Sequence, residues 1–212
     1  QWIQTVYAED GNFVHAFLHN EQNDVSQRTW YQNLTYAFSQ DGGNSYQQPE
    51  PPTNLVASSP YPYTIPNGLV HGLTGGSNII KGPDGAYYMT LQNDLIGQNG
   101  NRTCLVRSTN LRDPASWLAW RWPTDQEHRN HPEIPGYFDE PFINPYISSQ
   151  PPSEEDECKP IFPTMTTPDG IPIYEVFNSL THNTFARSYM LLGYSYPDGI
   201  YYRFSDNLIG WS

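Results

Sequence analysis

The chain has 212 residues, of which 15% are aromatic and 15% charged, with 20 Pro and 16 Gly. So many aromatics exclude a disordered chain, and few helix formers beside abundant Tyr, Thr, Gly and Pro point to an all-β fold. A formal charge of −12, with Lys81 and Lys159 as the lysines, argues against nucleic acid as a partner and equally against an anionic membrane surface. No apolar run reaches the roughly 18 residues that a membrane span needs.

The first predicted unit occupies about residues 1–60. Trp2–Tyr7 reads as a strand, Glu9-Asp10-Gly11-Asn12 as a turn, and Phe13–His19 as the returning strand. A further strand runs to Ser39, and a polar turn then closes on Tyr46. The second unit, about 70–122, repeats the scheme. Ser77–Lys81, the hairpin Gly82-Pro83-Asp84-Gly85 and Ala86–Gln92 lead to a strand ending at Ser108, and the next turn closes on Trp117. From about 123 to 172 the chain is rich in Pro and aromatics and leaves the pattern. Its composition predicts an ordered cover over one face, and its acidic run, Glu154–Glu157, reads as solvated surface. The third unit, about 173–212, has Ile173–Asn178, a turn around His182-Asn183, Arg187–Leu192, the hairpin Tyr196-Pro197-Asp198-Gly199, and Tyr201–Ser205 closing on Trp211.

Three segments therefore look alike: Tyr36–Tyr46, Leu105–Trp117 and Tyr201–Trp211. Each is a strand that ends at a Ser, makes a polar turn and closes on an aromatic. The Ser and Asp side chains are expected to bond the turn backbone, with the aromatic packed beneath. Units of four antiparallel strands predict the blades of a β-propeller, with a complete β-sandwich as the alternative. Three blades cannot close a ring, so the chain reads as part of a larger propeller. Its unpaired blade edges predict self-association.

Ser39-Gln40-Asp41-Gly42-Gly43-Asn44-Ser45-Tyr46 resembles the Asp box of sialidase-type propellers, with Ser for Thr and Tyr for Trp. Gly82–Tyr88 and Phe204–Trp211 resemble the hairpins and turns of five-bladed glycoside hydrolases of families 43, 32 and 68. The resemblance implies a five-bladed propeller and a carbohydrate ligand. In the Asp box the Asp serves the turn, so Asp41 is not expected to be catalytic.

Glycoside hydrolysis by the usual route needs two carboxyl groups flanking the scissile bond. The resemblance implies acids on the innermost strands, whose aligned slots here are Gln4, Asn78 and Glu175. Two of the three are amides, which departs from the family pattern. Glu175 is the best single acid, since it interrupts an apolar run. His19 and Glu21, two apart on one strand, face the same way and could bind a sugar hydroxyl or a cation. Asp139 and Glu140 supply further acids from the segment after Pro123, and Trp2 and Tyr7 could stack on sugar faces. The expected function is glycoside hydrolysis with Glu175, Glu21, Asp139 or Glu140. The alternative is a non-catalytic propeller that binds glycans or proteins.

No cofactor is expected. The chain has no Gly-rich phosphate loop, GxSxG elbow or HExxH motif, and its two cysteines lack metal-ligand spacing. His128 and His131 beside Arg129 read as ordinary loop histidines. A Cys104–Cys158 disulfide would pin the segment after Pro123 to the second unit. Low lysine, acidity and abundant Asn, Gln and Tyr point to a secreted or extracytoplasmic protein, to which the short sequons at Asn33 and Asn101 add little weight.

Overall fold

A computed structural model describes the chain except for residues 25, 27, 28, 63–69, 95–101, 154, 155, 164, 167, 171, 174, 175 and 196–198. It is all-β. The first unit holds β1 (Trp2–Ala8), β2 (Val14–Asp24), β3 (Thr29–Ser39) and β4 (Leu55–Ser58). A linking strand, β5 (Val70–Thr74), follows. The second unit holds β6 (Ile80–Lys81), β7 (Tyr87–Asp94), β8 (Arg102–Ser108), β9 (Leu118–Arg121) and β10 (Tyr137–Pro141). A short helix α1 (Asp125–Asn130) precedes β10, and β11 (Met165–Thr166) and β12 (Pro172–Ile173) form a small ribbon. The third unit is β13 (Val176–Asn183), β14 (Ser188–Ser195) and β15 (Gly199–Ser205).

Pairing within each unit is antiparallel. β5 joins the first two units into one open sheet, parallel to β3 and antiparallel to β7. The third unit is a separate three-stranded sheet, and among the described residues no sheet closes on itself. The segment after Trp122 is therefore not only a cover, because β10 extends the second unit by pairing with β9. The predicted turn at His182-Asn183 lies slightly later. Both residues end β13, and Asn183 Oδ1 caps the turn by accepting from the backbone N–H groups of Phe185 and Ala186.

The repeated turn forms at all three places. Ser39, Ser108 and Ser205 are buried. Ser39 Oγ accepts from the N–H groups of Asp41 (3.2 Å) and Gly43 (2.8 Å). Ser108 Oγ accepts from Asn110 N–H at 3.0 Å, and Ser205 Oγ from Asn207 (3.3 Å) and Leu208 (2.9 Å). In each case the residue before the Ser pairs with the residue after the closing aromatic: Phe38 with Gln47, Arg107 with Leu118, Phe204 with Ser212. Asp41 belongs to this scaffold. Ser39 and Ser45 donate to its carboxylate and pull its pKa down to about 2.

Two cores stack the units in series. Phe17, Leu34 and Tyr36 of the first unit pack with Met89, Leu91, Val106 and Trp117 of the second. Tyr88, Leu105 and Trp120 of the second pack with Phe177, Leu180 and Leu191 of the third. β7 serves both cores, so it is buried on both faces rather than alternating between core and solvent. Its polar Thr90 is accommodated because the hydroxyl donates to the Phe177 carbonyl at 2.7 Å. Cys104 on β8 and Cys158 form a disulfide, which ties the segment after β10 to the second unit.

Candidate functional site

The units meet around residues 74–76, and four of the residues singled out from the sequence converge there. Trp2 stands opposite His19 in the β1–β2 register, its ring edge 4.4 Å from the imidazole. His19 is 4% exposed. The Thr74 hydroxyl lies 2.9 Å from its Nε2, and Glu21 Oε1 lies 3.6 Å from the same atom. Burial pushes the His19 pKa below its ordinary value, and the Glu21 charge opposes that only in part. His19 is thus neutral at pH 7 and positions Glu21 rather than forming a strong ion pair. Gln4 sits at the β-bulge between Ile3 and Thr5, which turns its amide toward the Gly76 carbonyl at 3.3 Å. Opposite Thr74 in the β5–β7 register, Gln92 donates to Asn178 Oδ1 at 2.7 Å.

One row crosses four strands at this seam. Glu21 pairs with Gln32, Gln32 with Gly72, and Gly72 with Asp94. Glu21 and Asp94 thus stand at the two ends of one cross-strand register, separated by three strand spacings, or roughly 14 Å between α-carbons. Gly72 is required between them. Its φ is +121°, and a β-carbon there would lie 2.1 Å from the Gln32 carbonyl oxygen. Burial raises the Asp94 pKa to about 6, and among the described residues its carboxylate has no hydrogen-bond or ion-pair partner to counter that. Asp94 belongs to no motif. The signal that could have found it is the polar alternation Thr90, Gln92, Asp94 against the apolar Met89 and Leu91 on one strand.

The other candidates lie elsewhere. Asn78 pairs with the backbone of Leu180, donating through Nδ2 to its carbonyl and accepting its N–H at 3.1 Å. Tyr7 packs against the first core, edge-on to Tyr87 with centroids 5.2 Å apart. Asp139 and Glu140 are on β10, where Arg121 holds them together with Glu127. Arg121 makes two 2.6 Å bonds to the Asp139 carboxylate and lies 3.5 Å from Glu140. It also bonds Glu127 at 2.8 and 2.9 Å, while Glu127 completes a capping box with Thr124 at the start of α1. His128 is on α1, and His131 lies 3.4 Å from Glu133. Glu175 lies outside the described residues.

Among the described residues no three His, Cys, Asp or Glu side chains cluster as metal ligands, and no helix is long and apolar enough to cross a membrane. No protein-family model matches the chain, and no curated protein sequence matches it.

Proposed function

We propose that the protein is carbohydrate-active and hydrolyses glycosidic bonds with Glu21 and Asp94. The observation that carries this reading is the row Glu21–Gln32–Gly72–Asp94, two acids at the ends of one cross-strand register where the units meet. Asp94, with its pKa at about 6, retains a proton at mildly acid pH that an ordinary Asp has lost. It would donate that proton to the leaving glycosidic oxygen. Glu21, held beside neutral His19, would take a proton from the attacking water on the other side of the sugar. Trp2, about half exposed at 47%, offers a ring face beside the row for stacking on a sugar.

In the same reading the three units are consecutive blades of a larger five-bladed propeller. The thrice-repeated Ser turn and the serial stacking of the units support it. The disulfide supports an oxidising, extracytoplasmic setting. β15, which pairs on one side with β14, carries exposed Ile200 and Tyr202 and supports pairing with a further strand or copy. The non-catalytic alternative draws support from the Arg121 clamp on Asp139 and Glu140, which leaves those acids occupied.

The test is a hydrolysis screen on aryl glycosides and on plant and bacterial polysaccharides, with Asp94→Asn and Glu21→Gln run beside the native protein. Turnover lost in both variants supports the assignment. Turnover retained in both moves the acids elsewhere, Glu175 first. Glycan binding without turnover in the native protein selects the non-catalytic alternative.

A further inference from the structure

The opposite face of β2 and β3 carries a second polar depression. β1 pairs with β2 no further than Trp2↔His19, so Asn20 to Asp24 extend past it and one side of β2 lies uncovered. There Asn20 stands opposite Asn33, and Gln22 opposite Tyr31. Together with Gln48 and Asn54 they line a cavity of about 520 Å³, floored by Leu55 and by Pro51-Pro52. That volume falls in the range of small-molecule sites. Tyr146, 50% exposed, forms one wall. It comes from the segment after β10, and its placement is fixed. Asn144 Nδ2 donates to the Pro52 carbonyl at 3.0 Å, while Asn144 Oδ1 accepts the Tyr146 N–H at 3.1 Å.

The lining is nearly neutral. Amides and hydroxyls dominate, and Glu21 at the rim contributes the one carboxylate. Several amides are already oriented by one another. Asn20 Nδ2 donates to Asn33 Oδ1 and to Thr35 Oγ1, each at 2.9 Å, and Asn54 Nδ2 donates to Gln48 Oε1 at 3.2 Å. Those bonds use one end of each side chain. Among the described residues, Asn20 Oδ1 and Gln48 Nε2 have no hydrogen-bond partner, which leaves one acceptor and one donor at the cavity. A pair of neighbouring hydroxyls, each both donor and acceptor, satisfies such amides, whereas an anion finds no cationic side chain in the lining. The Tyr146 ring adds an apolar surface for the flat side of a ring-shaped polyol.

We infer that this cavity is a second saccharide site, which binds a neutral sugar unit on the face away from the Glu21–Asp94 row. The inference does not rest on hydrolysis at that row, because apart from Glu21 at the rim the cavity is lined by other side chains.

The experiment probes the native protein, Tyr146→Ala, Gln48→Ala, Trp2→Ala and Asp94→Asn against an array of neutral plant and bacterial oligosaccharides. Thermal melts confirm that each variant is folded. Asp94→Asn is expected to bind the same oligosaccharide as the native protein, and Tyr146→Ala and Gln48→Ala each to weaken it about tenfold. The inference is overturned if no neutral oligosaccharide binds, or if both cavity variants bind as the native protein does. It is also overturned if Trp2→Ala abolishes binding while Tyr146→Ala leaves it intact. That last outcome places the sugar on the row's own face, so the proposed function would survive and the second site would not.

Discussion

Asn78 and Leu180 are joined across 102 residues as two backbone segments would be: the Asn78 amide accepts the Leu180 N–H and donates to its carbonyl. One side chain thus occupies the place of a missing strand and pins β13 against the second unit. Its amide is structural, which explains why an acid does not stand there. A carboxylate could accept the N–H but would set oxygen against the Leu180 carbonyl.

Removing that pin is expected to be costly. Asn78→Ala leaves two backbone groups of Leu180 without their partner, at about 1–3 kcal/mol each when buried. Asn78→Asp should destabilise as well, despite its near-identical shape. Urea unfolding checks both, and an unchanged midpoint for either would mean that the contact is not maintained in solution.

Asp94 should give the protein a distinctive pH response. Its folded pKa of about 6 lies above the ordinary 3.8, so the folded state holds the proton more tightly than the unfolded chain. The protonated form therefore favours folding, and that contribution is lost as pH rises from about 4 to 6. The cost above pH 6 is at most about 3 kcal/mol, reduced by solvent screening. Asp94→Asn should accordingly melt at a higher temperature than the native protein at pH 7, with the gap closing near pH 4. If Asp94 is the general acid, kcat/KM falls as pH climbs past about 6.

The buried histidines act in the opposite direction. Burial lowers the pKa of His15, His19 and His71 below the ordinary 6.5. The unfolded chain then takes up protons that the folded state refuses, so stability falls as pH drops below about 6.5. His15 is further held between the Tyr36 hydroxyl at 2.9 Å and Glu9 at 3.2 Å. Melts of Asp94→Asn between pH 7 and 5 isolate this decline, since the opposing carboxylate is gone. A flat profile there would show that these rings are not desolvated.

The Cys104–Cys158 bridge spans a sequence separation of 54. On the chain-entropy account, a loop of that size contributes about 4 kcal/mol by restricting the unfolded chain. The Cys104→Ala/Cys158→Ala double variant should melt well below the native protein, and dithiothreitol should lower the native melt alone. Equal melts with and without reductant would show that the bridge does not form.

At Gly72 the expected effect is on pairing. Gly72→Ala brings a β-carbon against the Gln32 carbonyl and forces a positive φ on a residue that avoids it. The β3–β5 register should give way, exposing the amides of Gln32 and Gly72 to rapid hydrogen exchange while the β7–β8 ladder stays protected. Unchanged protection at both residues would remove the steric argument.

The elements that were legible in the sequence are those set by neighbours along the chain. Alternation and turn residues placed the hairpin at Gly82–Gly85, where Asp84 accepts the Ala86 N–H, and the Ser-to-aromatic turns. Two-residue spacing put His19 and Glu21 on one side of β2. β10 was not legible, because its pairing with β9 depends on a Phe138–Trp120 contact across the intervening helix rather than on strong alternation of its own. Asp139 and Glu140 read as free acids for the same reason, since their partner Arg121 lies on the adjacent strand.

The sequence by itself determined the strand-and-turn units, their repetition and the all-β class, because side-chain alternation and turn hydrogen bonds act over a few residues. Only the tertiary structure decided which polar groups meet. Asp94 comes into line with Glu21 because β5 inserts a parallel strand between two antiparallel units. That register is set by packing at Gly72, between segments far apart in the chain, where no local pattern can encode it.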